Sequence, residues 1–338
     1  MGVMKRLAAA IVAAAIGLGV GSSAQAEVSE IRVSKGYGVL YLPLIVMQDQ
    51  KLFEKQAAAA GLGDVAVKWV MLDGGNVIND AMMAGTLDFA GTGAPGFITL
   101  WAKAKGIPNV EVTGISGLSS TSLWLNSNKP EIKSLSDFTP QDKIALPGIK
   151  TSLSAVVLQM MAAKQFGREN FAKLDPMTVS LPHPDALAAL TSGQTEVRAH
   201  FTSPPFSYLE AKNPNIHRVA NSVDVIGNIT LDVVFAPKRF VDANPKTVET
   251  FLAALDEANT FIAEHKQETA EIFARSSAVK ISPEEVLEIL NDPDTRFSTT
   301  PTKVMDFADF MHLAGTIKAK PESWTELFIP QLASRAGS

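Results

Sequence analysis

The chain has 338 residues, 30 Lys+Arg against 35 Asp+Glu, 46% hydrophobic residues and no cysteine. A net charge of −5 offers no electrostatic footprint for nucleic acid. The missing cysteines exclude a disulfide framework, a thiolate metal site and a lipid anchor on cysteine.

Residues 1–26 read as an export signal. Lys5 and Arg6 form a basic start, Leu7 to Val20 is an apolar run, and Ala24-Gln25-Ala26 is a small-x-small cleavage site. The 14 residues of that run fall short of the roughly 20 needed to span a bilayer core, so a cleaved signal is favoured over an anchor. The mature chain is expected to start at Glu27, not to span a membrane, and to reside in the periplasm of a Gram-negative cell. Lys5 and Arg6 are the only charges removed, which takes the net charge from −5 to −7. The 312 residues left exceed what one core usually serves, about 250 to 300. Two lobes are expected.

Ile31 to Ser34 alternates like a strand and leads into the loop Lys35-Gly36-Tyr37-Gly38. A helix is expected from near Pro43 to Ala60, with a break near Lys51 and a stop at Gly61 and Gly63. A second strand covers Val65 to Met71. The stretch from Asp73 to Gly96 follows, and a second copy of its skeleton lies about a hundred residues later. In the first copy Asp80-Ala81 opens a helical run closed by Gly85; Asp88, a short strand and Pro95 come next. In the second copy the corresponding residues are Asp185-Ala186, Gly193, Glu196, Val197 to Phe201 and Pro204. Each copy reads helix, strand, loop, helix, with glycine ending one helix and proline starting the next. The echo implies two α/β lobes of similar topology facing each other across a ligand cleft.

Gly91-Thr92-Gly93-Ala94-Pro95-Gly96 matches G-x-G-x-x-G. Its preceding strand is short and the protein is exported, so a strand-to-helix turn that touches a small ligand through Thr92 is preferred over a dinucleotide site. Val110 to Ile115 is a strand, and the Gly/Ser-rich 116–122 is read as a hinge connector before Leu123-Trp124-Leu125. In the second lobe Ser134 to Phe138 is a helical turn, Lys143 to Leu146 a buried strand, and Thr151 or Ser152 caps a helix reaching Phe166. Ile229 to Phe235 carries the chain back. Asn244-Pro245 and the capping box Ser282-Pro283-Glu284-Glu285 open terminal helices that pad the first lobe. The expected division is 27–124 with 231–338 for lobe 1 and 125–230 for lobe 2.

Catalytic signatures are missing. The five histidines are scattered, with no H-E-x-x-H, G-x-S-x-G or P-loop, and no cofactor or metal is expected. His200 is open to three roles: ligating, donating to an anion, or satisfying a local carbonyl. Ser120 and Trp124 lie at the expected hinge, where Trp124 either flanks the ligand or belongs to the core.

The segments IRVSKGYGVLYLPLIVMQDQKLF, DGGNVINDAMMAGTLDFAGTGAPG, SLSDF, DKIALPG, HPDALAALTSGQTEV and FAPKRFVDANPKTVETFLAAL, in this order, resemble the nitrate, sulfonate and taurine substrate-binding proteins of ABC importers. The resemblance runs from Glu30 to about Ala274. It implies a two-lobed type II periplasmic binding fold, ligand held between lobes, and delivery to a membrane permease driven by a cytoplasmic ATPase. A monomer without catalysis is expected. The same superfamily includes pyrimidine synthases of thiamine biosynthesis, so an enzyme on this scaffold is the alternative, although their cysteine-rich signature is missing here. By the resemblance, the ligand loops fall on Tyr37 and Gly38, Gly74 and Gly75, Thr92 and Gly93, Lys150, Thr151 and Ser152, and Thr202 and Ser203.

Four strand-to-helix loops, after residues 35, 73, 91 and 149, are expected to aim N–H groups at one cleft. Each helix start favours an anion by ~0.3 to 1 kcal/mol, up to ~2 when partly buried. A micromolar complex needs about 8 kcal/mol, so apolar contact from Tyr37, Tyr41 or Trp124 must add to it. Lys35 and Lys150 add charge nearby. The expected ligand is therefore a small organic anion, a sulfonate or carboxylate.

Overall fold

The structure is a computed structural model and describes residues 27–338. The expected export signal lies outside the described residues. The chain runs β1 (Glu30–Lys35), α1 (Leu42–Gln50), α2 (Leu52–Ala59), β2 (Ala66–Met71), α3 (Gly75–Met83), β3 (Phe89–Gly93), α4 (Ala94–Ala104) and β4 (Val112–Ser120). It then forms β5 (Trp124–Ser127), β6 (Lys143–Leu146), α5 (Leu153–Phe166), β7 (Thr178–Ser180), α6 (His183–Ser192), β8 (Val197–Thr202), α7 (Phe206–Ala211), β9 (His217–Asn221) and α8 (Ser222–Ile226). It ends with β10 (Asp232–Pro237), α9 (Lys238–Ala243), α10 (Pro245–Glu264), α11 (Lys266–Ser276), α12 (Pro283–Asn291), β11 (Arg296–Phe297), α13 (Val304–Leu313) and α14 (Trp324–Leu327).

Two sheets result, ordered β11-β4-β10-β3-β1-β2 and β7-β6-β8-β5-β9. Each has three parallel strands, with β1 between β2 and β3 in one and β6 between β7 and β8 in the other. Each then takes an antiparallel strand from across the molecule, β10 beside β3 and β5 beside β8. The sequence echo sits on equivalent pieces, α3-β3-α4 and α6-β8-α7. Gly85 and Gly193 are both left-handed, with φ of 68° and 64°, as the end of a helix demands. The chain crosses between sheets at 121–123 and again at 227–231.

Several expected boundaries are corrected. α3 begins at Gly75 rather than at Asp80, because Gly74 already turns the chain. Residues 116–120 are not a connector but the end of β4, paired with β10 on one side and partly with β11 on the other. Their small side chains answer a close approach, since a Cβ on Gly117 would lie 2.9 Å from the Ser298 carbonyl oxygen. Asn244 does not cap α10 with its side chain. Glu27 does so instead, its carboxylate accepting from the N–H groups of Lys246 (3.0 Å) and Thr247 (2.7 Å). The terminal helix α10 packs on α1 and α2 of the first lobe, as expected, while α12, opened by the capping box, packs on α11, which in turn packs on α1. α13 reaches further and touches both α4 and α5.

The first lobe is held by an aromatic seam. Phe89 on β3 stacks on Phe251 of α10, with centroids 4.0 Å apart and planes within 8°, and Phe240 meets Phe89 edge-on at 5.3 Å. Both stacked rings are fully buried. Replacing Phe89 by Ala is expected to destabilise the chain by about 3 to 5 kcal/mol, the usual cost of deleting a buried ring. Denaturant titration checks this, and a loss below about 1 kcal/mol would contradict the role given to the seam.

Candidate ligand-binding site

Loops leave β1, β2 and β3 on one lobe, and β6 and β8 on the other, at C-terminal strand ends that meet across a seam. The contact combines backbone groups with short polar side chains. Val39 N–H donates to the Pro204 carbonyl at 3.0 Å. His183 N–H, at the start of α6, donates to Asp73 Oδ2 at 3.3 Å, and the Thr151 hydroxyl donates to Asn76 Oδ1 at 2.5 Å. Such close approach leaves no room for side chains. Gly74 has φ of 92°, and a Cβ there would lie 2.9 Å from the Pro147 carbonyl oxygen. Gly93 has an ordinary φ of −58°, yet its Cβ would meet Leu153 Cβ of the other lobe at 2.6 Å.

The seam encloses a cavity of about 40 Å³. Of the residues proposed from sequence, Tyr37, Tyr41, Gly74, Gly75, Thr92, Gly93, Ser152 and Ser203 line it. The others lie elsewhere. Gly38 is at the lobe contact, where a Cβ would sit 2.9 Å from the Pro204 carbonyl oxygen. Ser120 faces a separate hollow with Arg296 and Lys303. Trp124 stacks on Tyr208 at 4.5 Å with the Arg218 guanidinium over its ring at 4.6 Å, and it does not line the cavity. Lys150 is exposed and left-handed, with φ of 67°, and Thr151 is engaged with Asn76. Neither Lys150 nor Lys35 lines the cavity.

His200 is corrected to a supporting position. It is fully buried behind His183, whose Nδ1 lies 2.8 Å from His200 Nε2 and 3.0 Å from the Thr202 hydroxyl. His200 Nδ1 is 2.5 Å from Glu210 Oε1, and Asn126 Nδ2 donates to Glu210 Oε2 at 2.9 Å. This buried chain fixes His183 at the cavity wall. Burial, reinforced by the charge on His200, holds the His183 imidazole well below its usual pKa, so it is neutral.

The residues missed from sequence include the two acids of the site. Asp73 lies two residues past the end of β2, and Asp232 is the first residue of β10. Burial pushes Asp73 up to about 6, while the amide of His183, the charge of His200 and the amide of Gly74 pull it down. Burial lifts Asp232 to about 7; the neighbouring Tyr41 hydroxyl lowers it and the charge of Asp73 raises it. Asp232 Oδ2, Thr92 Oγ1 and Ser203 Oγ have no hydrogen-bond partner, and all three residues are 1% exposed on the cavity wall. Buried polar atoms without partners are uncommon in folded proteins, and three around one cavity point to a ligand that satisfies them.

Roomier hollows lie outside the seam. One of about 380 Å³ is lined by Trp101, Lys105 and Lys238 among others, and one of about 510 Å³ lies between α5, α8 and α13. Neither gathers strand-end loops from both lobes.

Two lobes of like topology, joined by crossing strands and closed over a cavity between strand-end loops, define the type II periplasmic binding fold. The chain belongs to the NMT1/THI5-like family, whose model matches residues 58–269. Among solved structures, the alkanesulfonate-binding protein SsuA from Xanthomonas axonopodis pv. citri, bound to MOPS, is 17% identical with a TM-score of 0.69, covering 86% of this chain and 95% of that one. The periplasmic aliphatic sulphonate-binding protein SsuA from Escherichia coli is 18% identical, TM-score 0.63, covering 87% and 90%. The periplasmic nitrate-binding protein NrtA from Synechocystis PCC 6803 is 14% identical, TM-score 0.67, covering 89% and 84%. At these identities the likeness establishes the fold. No curated protein matches the chain.

Gly93→Ala isolates closure from folding, because the added methyl clashes only with Leu153 of the opposite lobe among its near neighbours. Its melting temperature without ligand is expected to match the parent. Any ligand bound by the closed form should lose tenfold or more in affinity, about 1.4 kcal/mol. Unaltered affinity in a calorimetric titration would show that the seam does not close on the ligand as drawn.

Proposed function

We propose that the chain is the solute-binding component of an ABC import system, capturing a small organic solute in the periplasm and delivering it to a permease coupled to a cytoplasmic ATPase. The cavity at the lobe seam, with three unpartnered polar atoms on its wall, carries this reading. Lobe 1 is assigned to 27–124 with 231–338 and lobe 2 to 125–230, and the protein is taken to act as a monomer after loss of residues 1–26. Among the described residues no helix is long and apolar enough to cross a membrane. The site residues assigned to the solute are those on the cavity wall from both lobes.

The starts of α3, α4 and α5 at the cavity favour the negative end of a solute, which supports the organic anion, sulfonate or carboxylate, expected from sequence. Asp73 and Asp232 oppose it. An enzyme on the same scaffold, such as a pyrimidine synthase, is the competing reading, since the Glu210–His200–His183 chain ends at the cavity and resembles the support of a proton-transfer group.

Native mass spectrometry of protein recovered from a periplasmic extract separates the two. A receptor is expected to carry one small solute per chain, released unchanged on denaturation, on a polypeptide that begins at Glu27. Conversion of a supplied solute to a new mass, at more than one equivalent per chain, would establish an enzyme instead.

A further inference from the structure

The charge on the cavity wall specifies the chemistry of the solute, an inference that rests on the solute-receptor reading above. No Lys or Arg side chain lines the cavity, while two carboxylates do, Asp73 from the loop after β2 and Asp232 from β10. Both belong to the first lobe, and closing the second lobe over them removes water from each. The groups facing them are Tyr37 and Tyr41 from the segment after β1, and the neutral His183 from α6, with His200 behind it. None of those that touch the cavity supplies a positive charge.

Of the helix N-termini at the seam, that of α6 is already taken, while those of α3, α4 and α5 carry no full positive charge. The first amide of α6, that of His183, donates to Asp73, so the protein's own carboxylate sits where a sulfonate would have gone. A bound anion would then lie beside two buried acids, and like charges at such range in a dry site repel strongly. Asp232 Oδ2 meanwhile is an acceptor with no donor. A donor-bearing cation satisfies both conditions at once.

We propose that the solute presents a compact cationic head group, an ammonium or amidinium, that donates hydrogen bonds to Asp232 and Asp73, with Thr92 and Ser203 completing its shell. A cavity of about 40 Å³ is little larger than the roughly 30 Å³ of one water molecule, so a compact head group, not a whole solute, is what it takes at this depth. The pH dependence has a definite sign. The acids are raised to about 6 and about 7 in the closed form, so closure without a cation takes up protons and is disfavoured as pH rises through that range. Binding a cation needs the ionised acids, so its affinity rises with pH over the same range.

The test is a thermal-shift screen of the mature chain against small organic cations, neutral solutes, sulfonates and carboxylates, with affinities of the hits measured by calorimetry from pH 5 to pH 8. The expected result is that the hits carry an ammonium or amidinium group, bind at least tenfold tighter at pH 8 than at pH 5, and lose tenfold or more in Asp232→Asn and in Asp73→Asn. Asn preserves the shape of Asp, and Glu249→Gln on the outer face of α10 serves as a control expected to change nothing. Hits confined to anions or neutral solutes, or affinities unmoved by both Asn variants, overturn the cationic assignment and leave the receptor intact. Absence of any stabilising solute in every charge class overturns the receptor reading and this inference with it.

Discussion

The structure depends on a contact between two backbones. Val39 and Pro204 come from opposite lobes and share a hydrogen bond of 3.0 Å, and around them Gly38, Gly74 and Gly93 each stand where a methyl group would strike the other lobe. Backbone contact of this kind is short-ranged and buries little apolar area, so it holds only when the fit is close. Large side chains at the seam would have made the closed form impossible, and a broad apolar interface would have made it permanent. Glycine and hydroxyl groups leave the balance to whatever fills the cavity.

That balance is electrostatic. Each lobe has well-packed apolar walls, with stacked phenylalanines in the first and the buried strands β6 and β8 in the second. Little there would respond to a solute. The acids are different, because burial raises their cost of ionisation and each carboxylate adds to the cost of the other. A second buried charge shows the contrast. Lys35 is also sequestered, and burial lowers it to about 8, but its ammonium lies 5.8 Å from the Trp69 ring and it does not line the cavity. The protein therefore keeps this lysine off the wall that holds its two acids, and the charge that acts on Asp73 is that of His200 behind His183.

Much of the scaffold was legible in the chain because its signals are local. The helix-ending Gly85 and Gly193, the prolines that open α4 and α10, and the Ser282 capping box each act within a few residues, and each stands where it was expected. The strand-end loops were legible for the same reason, and eight of the proposed residues reach the cavity. What escaped depends on pairing across long separations. Asp232 is one charge in an apolar strand, and only the insertion of β10 beside β3 places it opposite Gly93, at the mouth of the first lobe. His183 reads as an ordinary first-turn residue of α6 until the seam closes over it. The 116–120 segment was mistaken for a connector because small residues serve flexible hinges and crowded strands alike; here the chain at 298–301 crowds it.

The same crowding bears on how the lobes move. Beside the two crossings, the C-terminal stretch around 292–297 ties into both sides: β11 pairs with β4, the Thr121 and Thr295 hydroxyls lie 2.9 Å apart, the Ser122 hydroxyl donates to Asp294 at 3.0 Å, and the Tyr208 hydroxyl donates to Asp292 at 2.6 Å. Lys212, just past the end of α7, is paired with Glu285 on α12. These links run beside the two crossings, with β11 on the outer edge of the first sheet, so they act as the axis of a hinge. An opening that keeps them must pivot about 121–123 and 227–231 and separate Val39 from Pro204 first. Asp73 and Asp232 then regain water together while the buried Glu210–His200–His183 chain, wholly within the second lobe, leaves intact. Opening thus divides the site along the line between its acids and its histidine, and a solute bound to the acids stays with the first lobe until the second has let go.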